Sequence, residues 1–260
     1  MGIMNKLIVI FLIYVSMAVT NAADQTPPNE ITFEQPVEIA RETIEKQPET
    51  LLTSTLLFYR QVTDYTGTFV KQERIDGRLG DEQVIDFKFK TNPHSILMEW
   101  KKNAGKIDKL LYVENQNDNK ALLHPDGLLS WIKSVKRAPD DEDIMKSTLK
   151  PCTEFGFAKI AKSMLADIQP EEGNPKATLK FIESKIADDT TIVKLEQIYA
   201  NPKEGAVAKI LITYDMKLMA PVERKAYDSD NNLLYSYVYN KLKLNTHLTD
   251  NDFTPEANNL

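Results

Sequence analysis

The groups in this 260-residue chain that could do covalent or metal chemistry are few and scattered. There are three histidines, one cysteine and a large surplus of carboxylates. Zinc sites and nucleophilic centres need such groups at defined spacing. His94, His124 and His247 show no i, i+4 relation and no clustering, and His124-Pro125-Asp126-Gly127 reads as a hairpin turn. Cys152 stands just before a helical stretch, whose N-terminus can lower a thiol pKa. It has no evident base partner, so it reads as a small buried residue under the helix start. No Gly-x-Ser-x-Gly elbow or glycine-rich phosphate loop occurs. Glu73 and Glu99 are a conceivable carboxylate pair that nothing in the sequence supports, and Asp140-Asp141-Glu142-Asp143 lacks a calcium-loop pattern and reads as a solvated loop. The expectation is a non-catalytic protein with neither metal nor cofactor.

Binding by burial is the chemistry that remains. Ile85, Phe87 and Phe89 alternate with Asp86, Lys88 and Lys90, and Ile96, Met98 and Trp100 alternate in the following run. With Phe69 they place large, adaptable side chains on one face of neighbouring strands, and we take these seven as the lining of an apolar cavity. Lys101, Lys102, Lys106 and Lys109, and again Lys133, Lys136 and Arg137, are cations at hairpin ends or on a rim that attracts an anionic head group or acidic partner.

The elements that must position these residues are mostly strands. Period-two patterning predicts strands over Tyr65–Glu73, Val84–Lys90, Ile96–Trp100, Leu110–Glu114, Ala121–His124 and Leu128–Val135, with Arg78–Asp81 as a turn. A second set covers Ala177–Ser184, Thr190–Ala200, Val207–Tyr214, Val222–Tyr227 and Leu233–Leu244. Helices are expected over Val37–Lys46 and from Pro48 up to Tyr65. Between the strand sets, Thr153–Ile168 reads as an amphipathic helix with Thr153 as N-cap and Glu154 in its first turn. Its stripe includes Phe157, Ile160, Met164 and Leu165, which we take as lid or plug residues. About eleven antiparallel strands cannot stay flat, because strand twist accumulates. The expected fold is mainly β with α: an open antiparallel barrel with N-terminal helices and a central helix over a hydrophobic cavity.

Residues 1–23 read as a signal peptide, with Lys6, the apolar run Leu7–Val19 and cleavage after Ala22 or Ala23. Residues 24–36 read as a flexible segment and 37–260 as a single domain. Formal net charge is −6, and loss of Lys6 makes it more negative. That balance argues against nucleic-acid binding. A lone cysteine permits no intrachain disulfide, so a large core must stabilise the fold. The mature chain is expected to be soluble and exported, a monomer with no membrane segment after signal cleavage.

Asp64-Tyr65-Thr66-Gly67-Thr68-Phe69-Val70-Lys71-Gln72-Glu73-Arg74, Asn92-Pro93-His94-Ser95, Leu97-Met98-Glu99-Trp100 and Leu111-Tyr112-Val113-Glu114-Asn115-Gln116-Asn117-Asp118 resemble the bacterial DUF1571 proteins, near the periplasmic lipoprotein carriers LolA and LolB. The ending Leu244–Pro255, with Asp250-Asn251-Asp252-Phe253, resembles the carriers' closing segment. The resemblance implies an eleven-stranded open barrel whose helices lid a cavity for lipid or lipoprotein acyl chains, with other envelope proteins as further partners. The carriers place an arginine before the proline that precedes the tryptophan strand. Here Lys90 is the cation offered to that rim position.

Overall fold

The computed structural model describes residues 37–170 and 172–260, with side chains from residue 42. The expected signal peptide and the segment 24–36 lie outside the described residues. Val37–Leu260 form one unit. Two helices come first, α1 (Val37–Lys46) and α2 (Glu49–Tyr59). The strands β1 (Asp64–Ile75), β2 (Arg78–Leu79), β3 (Gln83–Lys90), β4 (Ser95–Lys102), β5 (Ile107–Val113), β6 (Ala121–Pro125) and β7 (Val135–Arg137) follow. After α3 (Glu142–Met145) and α4 (Phe157–Ile168) come β8 (Ala177–Ala187), β9 (Thr190–Tyr199), β10 (Lys209–Asp215), β11 (Ala220–Tyr227) and β12 (Leu233–Leu244).

All pairings are antiparallel, and the sheet runs β7-β6-β5-β4-β3-β1-β12-β11-β10-β9-β8, with β2 paired to β1 off this path. Order explains architecture here. The first strand set grows outward from β1 to the edge at β7, while the second starts at the opposite edge and returns to pair β12 with β1. The connection from β7 to β8 must therefore cross the whole sheet, and α4 is the helix of that crossing. The two edges do not pair, so the barrel is open.

Local chemistry accounts for departures from the expected elements. Helix α2 ends at Tyr59 rather than reaching Tyr65, because Thr63 already accepts from the Thr91 amide and its own N–H bonds Asn245 Oδ1. The expected turn Arg78–Asp81 instead contains β2, with Asp76 and Gly77 at positive φ making the turn. Leu128–Val135 is not a strand. Asp126 caps a 3-10 turn over Gly127–Leu129, and pairing resumes only at Val135, because no neighbour covers this loop. Leu128 is 97% exposed and Trp131 78% exposed.

Helix α4 begins later than the sequence pattern suggests. Thr153 and Glu154 sit in a separate 3-10 turn over Cys152–Glu154, and Gly156 breaks the path at φ 120° and ψ 140°, a conformation open to glycine. The Phe157 amide, an orphan donor of the first helical turn, donates instead to the buried Tyr65 hydroxyl at 3.2 Å. Helix α2 is seated by Tyr214, which donates to the Leu51 carbonyl at 3.1 Å, and by Tyr59, which donates to Leu218 O at 3.1 Å. The far end of α4 is held where Tyr199 donates to Asp167 Oδ2 at 2.7 Å.

On the outer face of β4–β6, Leu97, Leu111, Val113 and Leu122 form a second small core beneath Phe253. The motif Asp250-Asn251-Asp252-Phe253 is thus a clasp. Phe253 fills the gap while Lys88 pairs with Asp252 at 3.2 Å and Lys90 with Asp250.

Candidate functional site

Sheet register sorts the inward side chains into transverse rows. Tyr65, Phe89 and Ile96 share one row, and Phe87 and Met98 share the next beside Gly67. Tyr239, Phe69, Ile85 and Trp100 follow, and then Arg224, Tyr237, Lys71 and Gln83. The inward face therefore changes from aromatic to charged along β1, from Tyr65 through Phe69 to Lys71 and Glu73.

Helices α2 and α4 cover the first rows. Phe157 stacks on Tyr65 at 5.4 Å and meets Tyr59 at 5.4 Å and Tyr239 at 4.9 Å. Tyr65 meets Phe89 at 4.7 Å. Beyond this packed zone the concave face is hollow. A cavity of about 1040 Å³ lies between the sheet and the crossing segment. Phe69, Ile85, Met98, Trp100, Leu110 and Leu123 form its sheet wall, and Ile144, Phe155 and Ile160 face them.

Of the seven residues expected to line a cavity, Phe69, Ile85, Met98 and Trp100 do so, while Phe87, Phe89 and Ile96 do not border the space. Those three are buried in the aromatic packing under α4, with Phe87 5.0 Å from Phe155 and Phe89 5.9 Å from it. Of the four expected plug residues, only Ile160 borders the cavity. Phe157 and Met164 are buried in the packed zone, and Leu165 is half-buried against the same core. Lys90 does not border the cavity. The residue before it, Phe89, faces in, so Lys90 faces out to the C-terminal clasp.

Pattern reading missed the polar end of the cavity. Lys71 Nζ lies 2.9 Å from Glu73 Oε2, with both side chains buried. Glu73 Oε1 accepts from the Tyr237 hydroxyl and from the Leu149 amide at 3.3 Å. Burial and the Glu73 charge hold the Tyr237 pKa well above its ordinary value, so it stays a donor. Trp100 Nε1 donates to Gln83 Oε1 at 3.0 Å. Arg224 Nη2 donates to the Tyr235 hydroxyl at 3.2 Å, and Tyr235 stacks on Tyr237 at 4.5 Å. One sequence signal pointed here: Tyr235-x-Tyr237-x-Tyr239 and Phe69-x-Lys71-x-Glu73 each put alternate residues on one face.

The groups that could do covalent chemistry are dispersed. Burial pushes the Cys152 thiol up to about 12, which leaves it protonated. His94 is held down at about 4, first by burial and then by the Lys159 charge, so it is neutral. His124 Nδ1 bonds Asp108 Oδ1 at 2.6 Å. Glu99 faces the outer surface with Lys101 and Lys109, whereas Glu73 faces in. Asp141 caps α3 and Asp143 pairs with Lys146 at 3.0 Å. Among the described residues no group of three or more His, Cys, Asp or Glu is placed to hold a metal ion, and no helix is long and apolar enough to cross a membrane.

The same architecture occurs in the crystal structure of MucB. At 12% identity and a TM-score of 0.51, 80% of this chain aligns with 62% of that one. The chain thus spans less than two thirds of the MucB chain. A LolA superfamily protein from Nitrosomonas europaea, NE2245, aligns at 10% identity over 80% of this chain and 98% of its own, with a TM-score of 0.36. The Mycobacterium tuberculosis lipoprotein LppX aligns at 13% identity over 78% and 98%, also with a TM-score of 0.36. No curated protein matches the chain by sequence. The profile of the family described as "Protein of unknown function (DUF1571)" matches residues 62–260, and the chain belongs to that family.

Proposed function

We propose that this protein is a periplasmic binding or carrier protein that sequesters an acyl chain of a lipid or lipoprotein, without catalysis. The observation that carries this reading is the cavity of about 1040 Å³ walled by Phe69, Ile85, Met98, Trp100, Leu110 and Leu123. Ligand pockets span roughly 300–1,000 Å³, so this one suits a large ligand. Burying about a dozen methylenes gains roughly 10 kcal/mol, comparable to the ~4–15 kcal/mol that association costs. Apolar burial alone is then enough for a complex that still releases its cargo.

Organic extraction of the purified protein followed by mass spectrometry, with titration by a fluorescent fatty acid, tests the reading. Recovered lipid and saturable binding are expected, and Met98→Asp should abolish binding in a folded, secreted chain. An empty extract with no titration signal would overturn it.

A second reading, an envelope sensor that binds a protein partner, draws on the loop between β6 and β7. Leu128, Leu129 and Trp131 are exposed there beside Lys133, Lys136 and Arg137. An apolar tip ringed by cations is a surface that partners cover. If this holds, Leu128→Ser with Trp131→Ser should abolish partner capture and leave fatty-acid binding unchanged.

A further inference from the structure

We propose that the row Arg224, Tyr237, Lys71 and Gln83, with Tyr235 behind it, is a head-group site that selects acyl ligands ending in an acid, either a carboxylate or a phosphate monoester. The inference rests on the acyl-binding reading above and adds the class of ligand. Four neighbouring strands deliver these residues side by side: Arg224 pairs with Tyr237, Tyr237 with Lys71, and Lys71 with Gln83. All border the same cavity as the apolar wall, one row further along.

The row carries one surplus positive charge. Glu73 neutralises Lys71 at 2.9 Å, and among the described residues no carboxylate stands within ion-pairing distance of Arg224. Arg224 makes a single hydrogen bond, to Tyr235, and its Nε is buried without a partner. Arg224 is half-buried, and its guanidinium borders the cavity with one nitrogen buried and unpartnered and no counter-charge beside it, so a bound anion would supply both a partner and a counter-charge. Its planar fork suits carboxylate and phosphate oxygens. The Tyr235 hydroxyl, which accepts from Arg224, keeps its own proton to donate to a ligand.

Charge around the rest of the cavity points the same way. Lys71, Lys106, Arg137, Lys150, Lys159, Lys162 and Arg224 border it against Glu73, Asp143 and Glu154. A positive cavity in a chain of net charge −6 is a local arrangement, not a consequence of composition. It attracts anionic amphiphiles to the opening and gives neutral ones no such advantage.

The test titrates the mature full-length chain with palmitate, hexadecyl phosphate and hexadecanol, which share a chain length and differ in head group. Wild type should bind at least one acid about tenfold more tightly than the alcohol, the effect of one charge-assisted hydrogen-bonded contact. Arg224→Gln should remove that margin, so that the acids bind no more tightly than hexadecanol. Whichever acid shows the larger margin identifies the head group as carboxylate or phosphate. Equal affinity for acids and alcohol in wild type would overturn the head-group site while leaving the acyl cavity standing. No binding of any of the three would overturn both. The wild-type comparison decides the matter even if the Arg224 variant does not fold.

Discussion

The concave face of this sheet has two halves built from the same kinds of residue, and only one of them borders a void. Tyr65, Phe87, Phe89 and Ile96 are inward aromatic and aliphatic residues of β1, β3 and β4, and they are core. Phe69, Ile85, Met98 and Trp100 are inward residues of the same three strands; the first three belong to the same buried core and Trp100 packs against it, but all four also border a void. Strand pattern does not separate them. Cover does: the connection from β7 to β8 crosses the sheet, and its helix α4 starts over β1 and β12 at Phe157 and packs toward β8, covering only part of the bowl. A binding site can therefore be made by omission, where the crossing helix stops short of filling the bowl.

The largest expected effect lies at the covered half. Phe157 is 1% exposed and touches Tyr59, Tyr65 and Tyr239. Its truncation leaves a void that packed neighbours cannot collapse into, so Phe157→Ala should cost about 3–5 kcal/mol. Urea unfolding measures this. A loss under about 1 kcal/mol would show that α4 is a loose lid and that the two halves are alike.

The halves also differ in how they hold titratable groups. The hollow half keeps Lys71 and Glu73 paired, whereas the covered half holds His94 between Phe89 and Tyr112, with its pKa at about 4 instead of 6.5. Between those values the unfolded chain takes up the proton and the folded chain resists it. Stability should thus be undiminished above pH 6.5 and fall as pH drops toward 4, by on the order of 3 kcal/mol. His94→Gln should flatten that part of the profile, as followed by urea midpoints at successive pH values. An unchanged slope in the variant would mean His94 does not report on a dry, packed zone.

Gly156 marks the joint between the halves. Its φ is +120°, and a Cβ there would sit 3.0 Å from Phe89 Cζ and 3.4 Å from the Tyr65 hydroxyl. Gly156→Ala should cost about 2 kcal/mol through backbone strain and displacement of the α4 start. Because the shift pushes α4 away from the sheet, fatty-acid affinity should change with it. A stability loss without any change in affinity would separate the helix seat from the cavity.

How much of this was legible in the sequence follows from the same contrast. Alternation in Ile85–Phe89 and Ile96–Trp100 reported correctly that those residues face one way, since period two is a local property. Most of the strands, the long crossing helix and the open barrel were legible for that reason. What lay over each row was not, because it depends on where α4 begins. Thr153 offered a good cap signal, but Gly156 delays the helix, and Phe155 just before it is the ring that meets Phe87 and Phe89. The polar row was missed because Lys71, Gln83 and Arg224 are far apart in sequence, and only register brings them together.

Trp100 offers the finest comparison between the halves, because it is the hollow half's counterpart to Phe157. Its ring borders the cavity and is half-buried, and its Nε1–H is bonded to Gln83 at 3.0 Å. Removing it enlarges a space that already exists and leaves no sealed void, so the cavity part of the penalty should be small. Trp100→Ala should cost about 1–2 kcal/mol, against the ~3–5 kcal/mol typical of a packed aromatic. The indole also holds the Gln83 side chain in the polar row, so its loss should weaken palmitate more than hexadecanol. Paired urea unfolding and ligand titration read both effects. A penalty equal to that of Phe157→Ala would mean the wall around Trp100 is packed core, and that the bowl closes over it when empty.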